Sequence, residues 1–205
     1  MYLTKTSSLI KQFYRDYIWS VDTKNKELFL TFDDGPHPEI TPWVLDQLAA
    51  FDAKATFFLI GQHAKQYPEL VQRIVDEGHA IGNHTYSHAN GWDVANTEYW
   101  RNVLACNPYY HTTLFRPPYG KIRRSQAKAL RKRYKIVMWD VLSWDFQEDI
   151  TPEQCLSNVA DHAEKGSIVV FHDSEKAYPN MSYALPKVLE KFTNEGFGFS
   201  PLSFG

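Results

Sequence analysis

Alternation constrains this chain most. Short apolar runs alternate with amphipathic stretches of helix length along nearly all of its 205 residues. Glu27–Phe32 (ELFLTF) reads as a strand. Thr41–Phe51 reads as a helix, with Thr41 as cap, Pro42 next and apolar residues at helical spacing. Ala55–Ile60 (ATFFLI) is a continuous apolar run, as in a strand buried on both faces. Pro68–Glu77 reads as a helix stopped by Gly78, and His79–Gly82 as a short strand. Then come a helix at Thr97–Cys106, a brief strand at Leu114–Phe115, and a basic helix at Ile122–Arg133. Ile136–Val141 reads as a strand, and Pro152–Glu164 as a helix opened by Thr151 and ended by Gly166. Ile168–Phe171 is another buried strand, Leu185–Phe192 is helical, and the tail holds one last weak strand. Such a βα repeat, six or seven times over, predicts an α/β fold: a parallel sheet covered by helices. The length fits one domain.

The chemically unusual residues sit just after the strands. Asp33 and Asp34 follow the first. His84 and His88 follow the strand near Ala80–Gly82. Arg116 follows Leu114–Phe115, Asp145 trails Ile136–Val141, and His172 follows IVVF. In parallel βα proteins the C-terminal strand ends converge on the functional face. With neighbouring strands about 4.8 Å apart, the outer strands of an open six-stranded sheet lie roughly 25 Å apart. If Asp33 and His172 share one site, the sheet must curl into a barrel or nearly so.

Asp34, His84 and His88 form the best metal candidate. In His84-Thr-Tyr-Ser-His88 the imidazoles are four residues apart, so on one turn of helix they face the same way. An H-x3-H pair alone is as often a surface pair; the accompanying Asp33-Asp34 turn moves the reading to metal. Two His and one carboxylate leave coordination positions open, as in a catalytic site. Adjacent carboxylates repel unless their tasks differ. A cation beside one and a proton duty for the other separates them.

Five segments now stand in order: TFDDGP (Thr31–Pro36), NHTYSH (Asn83–His88), RPPYG (Arg116–Gly120), the Trp139–Phe146 stretch, and IVVFHD (Ile168–Asp173). Together they resemble the ordered motifs of the polysaccharide deacetylase family (the NodB-homology group, carbohydrate esterase family 4). The resemblance runs from about Lys26 to Phe192. It implies a deformed (β/α) barrel of about seven parallel strands and metal-dependent removal of N- or O-acetyl groups from a poly- or oligosaccharide. By position, Asp33 resembles the general base. Asp34, His84 and His88 resemble the ligands of one divalent ion, usually zinc, with cobalt or nickel as substitutes. The resemblance implies that Arg116 holds the base in place and that the Tyr119 N–H, with Pro118 beside it, helps bind the oxyanion. His172 resembles the general acid, oriented by Asp145.

The chain also departs from the family pattern. Leu142 and Phe146 stand where the fourth motif usually has Asp and Trp, and Val170 stands where the fifth usually has Leu. Phe146 and Val170 stay apolar and are expected to line the acetyl pocket. Among Trp92, Trp100, Trp139 and Trp144, core packing is the better reading for each, with Trp144 the exception as a sugar contact. His37, His63, His79, His111 and His162 are weaker candidates. Two alternatives stay open: a hydrolase of small non-sugar amides, and a non-catalytic sugar-binding barrel. Acetate release across a substrate panel separates them.

Composition bears on partners. With 22 basic and 24 acidic residues there is no electrostatic case for nucleic acid. The basic run from Lys121 to Arg133 reads as a solvated face. No apolar run is long enough to span a bilayer. Cys106 and Cys155 read as buried free thiols. A monomer is expected. Residues 1–25 are expected to be an amphipathic extension packed on the barrel domain of residues 26–205. Its apolar strip is Leu9, Ile10, Phe13, Tyr14, Tyr17 and Ile18. These first residues do not read as a signal peptide. Cytoplasm is then the default, while the resemblance points to the cell envelope.

Overall fold

The computed structural model describes residues 3–204. The helices are α1 (Ser8–Phe13), α2 (Ile40–Ala50), α3 (Gly61–Gln66), α4 (Pro68–Asp76), α5 (Asn96–Leu104), α6 (Arg124–Leu130), α7 (Pro152–Ala160) and α8 (Tyr178–Asn194). The strands are β1 (Glu27–Asp33), β2 (Thr56–Leu59), β3 (Ala80–Asn83), β4 (Leu114–Phe115), β5 (Lys135–Ile136), β6 (Val141–Leu142), β7 (Ile168–His172) and β8 (Gly198–Phe199). Their pairings are parallel, in the order β5-β4-β3-β2-β1-β7-β6, and β8 adds to the start of β1.

The two edge strands, β5 and β6, are neighbours in sequence. A flat sheet of seven strands would set them about 29 Å apart. The stretch from Ile136 to Val141 is five Cα steps and spans at most about 18 Å. The sheet therefore curls almost into a barrel. The seam is bridged by the N-terminal segment. Ile18 N–H donates to the Ile136 carbonyl, and Met138 N–H returns a bond to Ile18. Thr6 N–H donates to the Asp140 carbonyl, and Leu142 N–H to the Thr4 carbonyl.

This topology corrects the single strand expected over Ile136–Val141. Its residues are apolar enough for a strand, but Val137–Asp140 must cross from one edge of the sheet to the other. The expected N-terminal strip also divides. Helix α1 ends at Phe13 and buries no residue, leaving Leu9 and Phe13 in solvent. Tyr17 and Ile18 do pack, against separate apolar clusters.

Side-chain alternation sorts β1 into two faces. Leu28, Leu30 and Phe32 join the large cluster shared with α2, α7 and α8. Phe29 points the other way, into the curl, with Phe58, Leu114, Val137 and Ile168. Thr31 and Asp33 follow Phe29 on that inner face, so the polar site sits on an apolar plug. Cys106 and Cys155 are free and buried. Among the described residues, no helix is long and apolar enough to cross a membrane.

Candidate active site

The curl brings the strand ends together. Asp33 closes β1, His84 follows β3, Arg116 follows β4 and His172 closes β7. A cavity of about 400 Å³ opens there, lined by Asp33, Asp34, His84, His88, Tyr119 and His172. Its apolar wall is Trp139, Leu142, Trp144, Phe146 and Val170. Phe146, Val170 and Leu142 thus line one cavity, and Trp139, expected in the core, lines it too. Leu142 replaces the carboxylate of the family pattern with apolar surface. Pro117, not Pro118, reaches the cavity; Pro118 is buried, and its carbonyl accepts from Lys121 N–H.

Asp33 and Arg116 form a buried pair. Arg116 Nη1 donates to Asp33 Oδ1 at 2.7 Å and to the Thr31 hydroxyl at 2.7 Å. Its Nη2 donates to the Met138 carbonyl at 3.0 Å, and its guanidinium lies over the Phe58 ring at 4.1 Å. Arg116 is fully buried and Asp33 nearly so. The second oxygen, Asp33 Oδ2, faces His84 Nε2 at 4.0 Å.

His172 pairs with Asp145, which is buried. His172 Nδ1 lies 2.8 Å from Asp145 Oδ1, and the His172 backbone N–H donates to Oδ2 at 2.7 Å. Burial disfavours the imidazolium, but Asp145 outweighs it, with Asp34 and Asp33 adding, and the His172 pKa rises to about 9.

Asp173 was missed by the sequence reading. It is buried, accepts Gly35 N–H at 3.0 Å and is hydrogen-bonded by the Thr41 hydroxyl. A Cβ on Gly35 would meet Asp173 Oδ2 at 2.1 Å. Asp173 therefore fixes the turn that carries Asp33 and Asp34. Thr41 does not cap α2, because the helix begins one residue earlier, at Ile40; its hydroxyl donates to Asp173 and accepts from His37 N–H. The exposed N–H groups at that helix start are met by His37 Nδ1, which accepts from Glu39 and Ile40.

Asp34, His84 and His88 converge, with ligand atoms within 4.8 Å of one another. His84 and His88 are not on a helix, as the spacing had implied; they sit in the loop after β3. Thr85 (φ 63°) and His88 (φ 55°) take left-handed backbone conformations there. Among the described residues six non-glycine positions have positive φ. Five belong to the site loops: Asp34, Thr85, His88, Tyr119 and Trp144. Each costs about 1–3 kcal/mol, so side-chain placement at the site outweighs local backbone preference.

The donor set fits a divalent cation. Asp34 Oδ1 is buried and accepts no hydrogen bond, although His88 Nε2 lies 3.2 Å away and His84 Nε2 3.7 Å. Burial works against the Asp34 carboxylate, but His88, His172 and His84 outweigh it and hold its pKa well below the ordinary range. Burial drops the His84 pKa to about 4, so its ring is neutral, as a ligand must be. His84 Nδ1 lies 2.8 Å from the Arg116 carbonyl, which leaves Nε2 with its lone pair toward the cluster. His88 Nδ1 lies 3.0 Å from the Tyr119 hydroxyl.

His63 and His79 have structural partners. His63 Nδ1 meets the Asp34 carbonyl at 2.8 Å, and His79 accepts from Ala55 N–H. Trp144 is half-buried against the core. Trp92, expected in the core, is exposed.

Comparison with known proteins gives the family. The polysaccharide deacetylase family profile matches residues 20–136. The chain belongs to the polysaccharide deacetylase family, hydrolases that remove acetyl groups from sugars and depend on a metal. A peptidoglycan-N-acetylglucosamine deacetylase of Bacillus cereus is 36% identical over 91% of this chain and 70% of its own. The solved Bc1960 peptidoglycan N-acetylglucosamine deacetylase superposes with a TM-score of 0.86 at 34% identity, covering 96% of this chain and 95% of that one. A family 4 carbohydrate esterase from Streptomyces lividans, solved with acetate, gives 0.78 at 28% identity over 87% and 94% of the two chains.

Proposed function

We propose that this chain removes N-acetyl groups from the amino sugars of a peptidoglycan-type glycan, with Asp33 as base and His172 as acid. One observation carries the assignment: a single cavity holds the Arg116-bound Asp33, the Asp145-bound His172 and the three-ligand cluster. The names of the two peptidoglycan deacetylases compared above support the choice of glycan.

Asp34, His84 and His88 would hold the ion, with zinc as the first choice and cobalt or nickel as replacements. When bound, the cation supplies Lewis acidity to the acetyl carbonyl and to water. Asp33 Oδ1 is taken up by Arg116, so Oδ2 receives the proton of the attacking water. The Tyr119 N–H donates to the developing oxyanion. Phe146 and Val170, with Leu142, take the acetyl methyl and exclude bulk water. His172 gives its proton to the departing nitrogen as the C–N bond breaks. Acetate and a free amine leave, and the proton on Asp33 restores His172 through solvent.

The direct test is acetate release from peptidoglycan, chito-oligosaccharides, acetylated xylan and a set of small amides. Zinc, cobalt and nickel are each supplied, and a chelator is the control. Release from the N-acetylated glycans is expected, abolished by chelator and restored by metal. Release from xylan or small amides alone would assign a different substrate, and rates indifferent to chelator would remove the metal.

The Asp145–His172 pair sets a pH dependence. His172 must carry its proton, so activity is lost as pH rises through its pKa. The alkaline limb is expected at or below about 9, since a bound cation opposes protonation. In Asp145→Asn the carboxylate that raises the His172 pKa is gone, and the limb moves to lower pH. A kcat profile from pH 6 to 10 measures this; an unmoved limb refutes the pairing.

A further inference from the structure

Trp92 is 56% exposed, yet its loop is braced by Arg123 and Gln126. Arg123 hydrogen-bonds the Trp92 carbonyl and donates to the Val94 carbonyl at 2.9 Å. Gln126, fully buried, donates to the Gly91 carbonyl at 2.8 Å and accepts from Arg123 N–H. Trp92 N–H donates to Asn90 Oδ1 at 3.0 Å. A Cβ on Gly91 would meet the Lys121 carbonyl at 2.6 Å, so only glycine lets the two segments close. A large indole gains most by burial. Here the loop is held so that the ring stays in water.

Lys121 joins this ring to the catalytic cavity. Its Nζ lies 5.4 Å from the Trp92 ring centroid and 6.0 Å from that of Tyr119. Tyr119 is 61% exposed and stands on the cavity wall, its ring 4.6 Å from that of His88. Lys121 has no carboxylate partner among the described residues. The result is a ledge leading away from the ligand cluster: aromatic, cationic, aromatic. Aromatic faces suit the C–H faces of sugar rings, and an unpaired ammonium between them suits a carboxylate. The sequence had placed Lys121 on a merely solvated face and Trp92 in the core.

We propose that Trp92, Lys121 and Tyr119 form a binding site for the sugar next to the one being deacetylated, and that Lys121 selects glycans carrying a carboxylate there. The inference rests on the N-deacetylase reading above. It adds a preference for acidic, muramoyl-type glycans over neutral N-acetylglucosamine chains.

The test compares the metal-loaded wild-type chain with Trp92→Ala and Lys121→Ala. Substrates are a neutral chito-oligosaccharide, muramoyl glycan with its stem peptides, and the same glycan stripped of them. A small acetyl ester that fills only the cavity is the reference. Relative to that ester, Trp92→Ala is expected to lower kcat/KM on all three glycans about tenfold through KM, the scale of one stacking contact. Lys121→Ala is expected to lower it about threefold to fivefold on the muramoyl glycans, with less than a twofold change on the neutral one. The stem peptide is joined to the lactyl carboxyl as an amide, so stripping frees that carboxylate. A Lys121 effect that appears or grows on stripping assigns the contact to the sugar, and one that is lost assigns it to the peptide. The ledge is overturned if Trp92→Ala leaves the glycan-to-ester ratio within twofold. The carboxylate preference is overturned if Lys121→Ala affects neutral and acidic glycans alike. Direct titration of glycan binding keeps the two readings apart. If wild type releases no acetate from any glycan but Trp92→Ala weakens glycan binding, the N-deacetylase reading has failed and the ledge stands.

Discussion

Asp33→Asn is expected to bind metal normally and to lose about 10²- to 10⁴-fold in kcat, the range for a positioned general base. Asn keeps an oxygen for Arg116 Nη1, so the buried contact survives. What is lost is an anionic Oδ2 able to take a proton from water. The ligand cluster of Asp34, His84 and His88 is untouched, so the metal content per chain stays at its wild-type value. Asp34→Asn should fail differently. It weakens one of three ligands, so metal is lost first and activity with it. Metal analysis and turnover on an N-acetylated glycan, measured on both variants, check the division of labour. Near-normal turnover in Asp33→Asn would remove the base assignment, and equal metal loss in the two variants would make Asp33 a ligand.

Arg116→Met is expected to unfold more easily as well as to lose activity. Arg116 and Asp33 are buried together with a 2.7 Å contact. Removing one partner of a buried pair costs about 3–5 kcal/mol, because the other charge stays uncompensated. For a domain of this size that lowers Tm by roughly 6–20 °C. The Met138 carbonyl and the Thr31 hydroxyl also lose their donor. Thermal unfolding gives the number, and a Tm within two degrees or so of wild type would refute it. Adding Asp33→Asn to Arg116→Met removes the stranded charge. The double variant should therefore recover part of the loss, though not the activity.

Much of the site was legible in the chain. Residues just after parallel strands must gather at one end of the sheet, so Asp33, Arg116, Asp145 and His172 could be grouped without coordinates. The expected reason for a curled sheet was wrong: β1 and β7 are adjacent strands with Asp33 paired to His172, so those two meet without any curl, and it is the short link between the edge strands β5 and β6 that requires it. Other features were hidden because they depend on contacts between distant segments. Asp173 lies beside His172 in sequence, but its role is to hold Gly35 and Thr41 in a different loop. The apolar stretch from Ile136 to Val141 has the composition of a strand, and only the position of β5 and β6 at opposite edges breaks it. The spacing of His84 and His88 fits a helical turn, yet left-handed Thr85 and His88 present the same two rings from a loop. Trp92 looked like core, and is held outside by Arg123 and Gln126 from α6 and the residue before it.

By itself, the sequence determined the alternation of strands and helices, the gathering of titratable residues at one strand end, and the donor types available for a cation. Those follow from local periodicity and from side-chain chemistry, which each residue carries with it. The tertiary structure decided which oxygen of Asp33 is left over, how far Asp145 raises His172, and which aromatic rings remain in water. Those depend on distance, burial and the closing of a seam between strands that are neighbours in sequence but opposite in the sheet.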